Sequence, residues 1–355
     1  MLPRYAFLLF FALGLACSAG RVHAQTEGLL LGLRYQEPIS KVPPYYAGRA
    51  DSLLRSDYHT LLIVKRDGKI SLVGNTEGLL VPRGNTFWRV GTKRSVYNDW
   101  VEDFIWAVPD GRMPKYPGIQ SYNGEYCEGN RMQQILYAGE NHLALEQYSA
   151  GYCEGAAHPW LFNTLAVVPI DSTTHIGLYI SDVLGDAGEV AFSAAAAQFR
   201  SRLRTEEQRS RYVEEPDPAN WALTRKEGRW VLVGRLDGAG EVVQGTFADF
   251  ELPMAPPATL VGASRLVPGW NRIRAFAPDA VDAFSSPNDD LLVLVHRTRL
   301  TAHPVTNGEI GPAAFTLRLR NGTRPVMARW AAGARADRWI DRVSRSSTPS
   351  STARR

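Results

Sequence analysis

Hydrophobic runs of strand length, separated by turn residues, dominate the chain. Residues 60–64 (TLLIV) form one run, Arg66-Asp67-Gly68 makes a tight turn, and residues 70–73 run back. An Asp-Gly step between two such runs is a strong local hairpin signal. Further short strands are predicted at 79–81, 87–90, 143–148, 160–168, 230–236, 247–252, 291–295, 300–305, 315–319 and 326–330, with turns at Asp237-Gly238 and Asn321-Gly322. Residues 26–57 have no clean period, and 107–125, rich in Pro, Gly and Asp, read as a linker or long loop. One segment has helical spacing: over 186–212, Phe192, Ala195, Ala196, Phe199 and Leu203 form an apolar stripe. Charges at 200–211 cover its other face, and Pro216 and Pro218 forbid its continuation. The expected fold class is α+β, mostly antiparallel β with one long helix. Residues 61–73 and 292–305 echo each other, so a β-propeller or barrel is the alternative.

The N-terminal segment sets the compartment. Arg4 precedes an apolar run at 6–16, followed by small and polar residues ending in Val22-His23-Ala24 before Gln25. That order is a cleavable signal peptide over 1–24, and the run is too short for the roughly 20 apolar residues a membrane helix needs. A lipoprotein cleaved before Cys17 is the lesser alternative. No later segment is long and apolar enough to span a bilayer, so the mature chain is expected in the periplasm or outside the cell, without a transmembrane segment. The formal net charge is +4. Arg4 and Arg21 in the leader, and six arginines against Asp337 and Asp341 after position 334, carry more than all of it. The body is slightly acidic, which gives no basic patch for nucleic acid. Residues 336–355 read as a basic disordered tail.

With Cys17 in the leader, Cys127 and Cys153 are the remaining two of three cysteines. In an oxidising compartment such a pair reads as a disulfide. Each sits in a copied tetrapeptide, Tyr126-Cys127-Glu128-Gly129 and Tyr152-Cys153-Glu154-Gly155, and His158 follows the second copy. A bridge would bring Tyr126, Tyr152, Glu128, Glu154 and His158 together as a candidate ligand site. A histidine with two carboxylates suits proton transfer or a divalent cation. The competing reading is structural: a loop histidine ordering the turn before Pro159, beside strand ends tied by sulfur.

The stretch Tyr148-Ser-Ala-Gly-Tyr-Cys-Glu-Gly-Ala-Ala-His-Pro159 lies between two predicted strands. It resembles the Gly-Ala-His-Pro loop of an extracytoplasmic domain found in lysozyme-sensing anti-sigma factors and beside some peptidoglycan deacetylases. Ser181-Asp-Val-Leu184, the 186–212 helix and the strands at 230–236 and 247–253 take the places of that domain's later elements. The resemblance spans about 120–255. The tyrosine- and proline-containing segment expected before the last strand is absent after Leu236, as are a sigma-binding segment and a membrane helix. The resemblance implies an α+β envelope domain that binds a protein or glycan, and it carries over no catalytic residues. The expected organisation is an N-terminal β-hairpin region at 25–115, this domain at 116–255 and a C-terminal β region at 256–335.

Other chemistry is not signalled. There is no nucleophile elbow, HExxH spacing, phosphate-binding loop or dinucleotide fingerprint. No metal or cofactor is expected. Asn288-Asp289-Asp290 reads as a turn, His296 and His303 as surface residues flanking one, and the tryptophans mostly as core. The expected function is an exported envelope binding protein for a cell-wall glycan or an exported protein, with no catalysis assigned. An envelope hydrolase using His158 with Glu128 or Glu154, and a structural envelope component, are the alternatives.

Overall fold

A computed structural model describes residues 26–37, 55–97, 100–115, 127–153, 160–173, 177–239 and 246–346. They are mostly antiparallel β, in four sheets with a propeller-like arrangement.

The first and last strands share a sheet. Strand β1 (Glu27–Glu37) is followed by the hairpin β2 (Arg55–Arg66) and β3 (Lys69–Glu77). Asp67 and Gly68 at its turn both take positive φ, as a two-residue hairpin requires. The second sheet is a six-stranded run of β4 (Leu79–Arg83), β5 (Thr86–Tyr97), β6 (Trp100–Pro109), β7 (Cys127–Ala138), β8 (His142–Cys153) and β9 (Trp160–Pro169). Its one parallel junction, β6 to β7, rests on Glu102 opposite Arg131. Helix α1 (Ile180–Ser201) and the short α2 (Glu206–Arg209) lead to a three-stranded sheet, β10 (Trp221–Lys226), β11 (Arg229–Asp237) and β12 (Phe247–Glu251). After α3 (Ala258–Val261) and α4 (Trp270–Phe276) comes the fourth sheet: β13 (Ala280–Ser285), β14 (Leu291–His296), β15 (Arg299–Thr306), β16 (Glu309–Ile310) and β17 (Phe315–Arg318). Strand β18 (Arg324–Ala332) then pairs with β1, giving the order β18-β1-β2-β3, and α5 (Ala334–Ser346) packs over that closing sheet.

Alternation along the strands explains the packing. In β1, Leu29, Leu31, Leu33 and Tyr35 face the fourth sheet's Val293, Val295 and Leu300, whereas Leu30 faces the second sheet's Val81, Val90 and Ile135. The other face of the second sheet, with Ala144, Leu165 and Val167, packs on Phe192 and Ala196 of α1 and on Trp221 and Leu232 of the third sheet. Third and fourth sheets are joined by Arg225, whose Nε and Nη2 donate to the Asp282 carboxylate at 2.9 and 2.6 Å. The guanidinium lies 5.0 Å from the Trp230 ring and 4.2 Å from that of Phe284. The four sheets therefore contact one another in a closed cycle.

Several expectations change. The propeller-like alternative fits better than an α+β fold built on one long helix. The helix expected over 186–212 begins earlier and ends at Ser201, with Gly185 (φ 67) breaking its first turn from the rest. Charged residues do continue past it, but Thr205 accepts a bond from Gln208 N and caps a new turn, with Arg209–Glu206 and Arg211–Glu207 pairs on the surface. The expected boundary at 115/116 falls inside the second sheet, and 25–115 and 256–335 share the closing sheet, so the three regions are not separate units. Residues 336–346 of the expected tail belong to α5, because Ala336, Trp339 and Val343, spaced like a helix face, are buried. Residues 347–355 lie outside the described ones.

Candidate functional site

Strands β7 and β8 are antiparallel, with Cys127 directly opposite Cys153 and Glu128 opposite Tyr152. Directly opposed residues in such a ladder have Cα atoms about 4.5–5.5 Å apart, inside the span a disulfide bridges. The two tetrapeptides thus meet at the far end of one hairpin, as far as their backbones are described. Tyr126, Glu154 and His158 lie outside the described residues, so a convergence of Glu128, Glu154 and His158 stays a proposal.

Further down the same hairpin runs a partly buried polar chain. Gln36 Nε2 donates to Gln134 Oε1 at 2.8 Å, and Gln134 donates to Glu146. Arg235, 3% exposed, donates to Glu146 Oε1 at 2.9 Å and to Asp249 Oδ1 at 2.7 Å. Every charge here has a partner, so its evident effect is to fix the third sheet against the second.

A second polar chain lies beneath α4. His303 Nδ1 meets the Gly311 carbonyl at 2.9 Å, so that nitrogen carries the proton and Nε2 accepts from the Thr301 hydroxyl, also at 2.9 Å. The Thr301 hydroxyl also lies 3.2 Å from His296 Nε2. His296 Nδ1 lies 3.0 Å from Asp279 Oδ1, a carboxylate oxygen that can only accept. Burial pushes both histidines below the usual range, and the Asp279 carboxylate opposes it at His296. His296 and His303, expected on the surface, are buried because they share the face of β14 and β15 that α4 covers, with the Phe276 ring edge-on to His303 at 5.4 Å.

The open site lies elsewhere. Where the Arg55 end of β2 diverges from β5 and β6, a cleft of about 610 Å³ opens. This volume falls in the range of about 300–1,000 Å³ usual for ligand sites. Its lining carries Arg55, Arg89, Lys93, Arg94 and Arg320 against Asp57 and Glu77, a clear cationic excess. Thr92 Oγ1 donates to the Ser56 carbonyl at 2.9 Å and ties the two sheets at the cleft. Arg94, 9% exposed, grips Asp103 with two bonds of 2.7 Å, while its Nη1 has no partner among the described residues. Trp106 also lines the cleft. It stands directly opposite Gly91, and a Cβ there would fall 2.7 Å from the indole, so the glycine lets the ring lie against the strand. Val96 and Met113 line it too, 64% and 84% exposed.

Apart from Trp106, counted among the tryptophans, none of these cleft residues was singled out from the sequence. They come from β2, β5, β6 and the turn before β18, and no local motif joins them. The one local sign is Gly91 inside a strand, flanked by Arg89 and Lys93 on the same face. Trp221, Trp230 and Trp339 are core, as expected for most of the tryptophans. Asn288-Asp289-Asp290 is the turn between β13 and β14, and Asp290 also accepts from Lys65. Among the described residues, no group of three or more His, Cys, Asp or Glu side chains is placed to hold a metal, and no helix is long and apolar enough to cross a membrane.

No family model matches the chain, and no curated protein matches it.

Proposed function

We propose that this chain is an exported cell-envelope binding protein that holds its ligand in the cleft between β2 and β5–β6. The observation that carries the reading is the cleft: cationic, floored by a tryptophan and rimmed by exposed Val96 and Met113. Sites of this kind recognise ligands by a few placed polar groups on a rigid frame. The leader at 1–24 supports export, and the facing cysteines support an oxidising compartment, with a Cys127–Cys153 bridge anchoring the hairpin end. The Gly-Ala-His-Pro resemblance agrees with an envelope role.

The test is capture. Mature protein from Gln25 onward, immobilised, is exposed to solubilised wall glycans and exported proteins. Retention is expected, and it is expected to fall in Arg89→Gln and Trp106→Ala variants of unchanged melting temperature. No retention of either class of material, or retention indifferent to both substitutions, rejects the reading. The hydrolase alternative depends on His158, and release of wall fragments by wild type but not by His158→Ala is the result that would restore it.

A further inference from the structure

We infer that the cleft takes an acidic saccharide, with a sugar ring stacked on Trp106 and its carboxylate held by arginine. The inference rests on the binding-protein reading above and gives its ligand a chemistry. Three observations lead to it. The first is the platform: Gly91 leaves room for the indole to lie against β5, and a ring so supported offers an aromatic surface at little entropic cost. The C–H face of a pyranose packs on such a ring.

The second is charge. The Arg89 guanidinium lies 6.0 Å from the Trp106 ring centroid, so a carboxylate on a stacked sugar falls within its reach. Guanidinium groups match carboxylates two bonds at a time.

The third is the spread of the cations. Arg55 lies on β2, Arg89 on β5, and Arg320 in the turn before β18. A nucleotide also pairs a flat ring with negative charge, but its phosphates crowd together and suit the backbone N–H groups of a helix N-terminus. No helix begins among the described lining residues. Charges distributed over separate strands suit a chain of sugars with one carboxylate per ring.

Isothermal titration with tetragalacturonate, its full methyl ester and ATP tests this. Tetragalacturonate is expected to bind, more weakly as salt rises. Methyl esterification and Arg89→Gln are each expected to weaken it about tenfold, the worth of one charge-assisted contact. Trp106→Ala is expected to abolish binding and Trp106→Phe to keep most of it. Equal affinity for the ester, tighter binding of ATP, or no binding of tetragalacturonate overturns the inference. If tetragalacturonate fails while envelope material is still captured through Arg89 and Trp106, the acidic-saccharide assignment falls and the binding-protein reading stands.

Discussion

Trp106 and Gly91 are cross-strand partners, and the indole occupies the space a side chain at 91 would need. Gly91→Ala places a methyl 2.7 Å from the ring. Ring or strand must shift, at a cost of about 1–3 kcal/mol for overpacking. Urea titration is expected to show that loss, and to show it largely gone when Gly91→Ala is made in a Trp106→Ala background. Additive losses would mean that the contact does not decide the ring's position.

The facing cysteines give a second test. A bridge between Cys127 and Cys153 closes a loop worth about 3.5 kcal/mol in the chain-entropy model. Intact mass before and after alkylation is expected to find no free thiol in the mature oxidised protein. Reduction, or Cys153→Ser, is expected to lower stability by up to that amount. Two free thiols in protein purified from the periplasm would dismiss the bridge.

Arg225 and Asp282 are only 6% and 5% exposed at the junction of the third and fourth sheets. Asp282 also accepts from the backbone nitrogens of Gly228 and Ala283 at 3.1 and 2.8 Å. Asp282→Ala leaves a buried guanidinium and two amides without their acceptor, and about 3–5 kcal/mol of destabilisation is expected in denaturant titration. Replacing both members by apolar residues of similar volume, as in Arg225→Met with Asp282→Leu, is expected to cost less than the single change. A loss under about 1 kcal/mol for Asp282→Ala would show that the two sheets do not depend on this pair.

Acid acts on the histidines beneath α4. Burial holds the folded pKa values of His296 and His303 below the ordinary 6.5. Below pH 6.5 the unfolded chain binds protons that the folded chain refuses, so stability falls as pH falls from there toward the folded values. Glu27 acts in the opposite direction. Burial and the neighbouring Asp290 push it from 4.5 up to about 7, so its contribution is full below pH 4.5 and is lost as pH rises toward 7. Melting temperatures across pH 4–8 are expected to fall less in acid for His296→Asn with His303→Gln, and to fall less between pH 4.5 and 7 for Glu27→Gln. Profiles parallel to wild type would remove these groups as the cause.

Local features were readable from the sequence and distributed ones were not. The hairpin at Asp67-Gly68 announces itself because two residues fix its backbone, and the copied tetrapeptides draw notice to Cys127 and Cys153, which face each other across the β7–β8 ladder. Strand β1 showed no clean period because both its faces are covered, which erases the contrast between apolar and polar positions. Helix α5 was hidden by arginines whose composition resembles a solvated tail, although Ala336, Trp339 and Val343 mark a buried face. The two histidines look exposed on either side of a turn, since only the fold sets α4 over them. The cleft was invisible because Arg55, Trp106 and Arg320 are far apart in the chain and meet only when two sheets diverge.

Strand β1 lies between β2 and β18, and Gly333 N donates to the Thr26 carbonyl at 2.8 Å, so head and tail clasp each other. A polypeptide threaded head first through a pore delivers one half of that clasp at the outset and the other only when nearly all of it has crossed. In a chain so delivered, β1 would stay unpaired on its β18 edge until almost the whole transit was over. Deleting β1 or deleting β18 is then the same lesion, the opening of one seam.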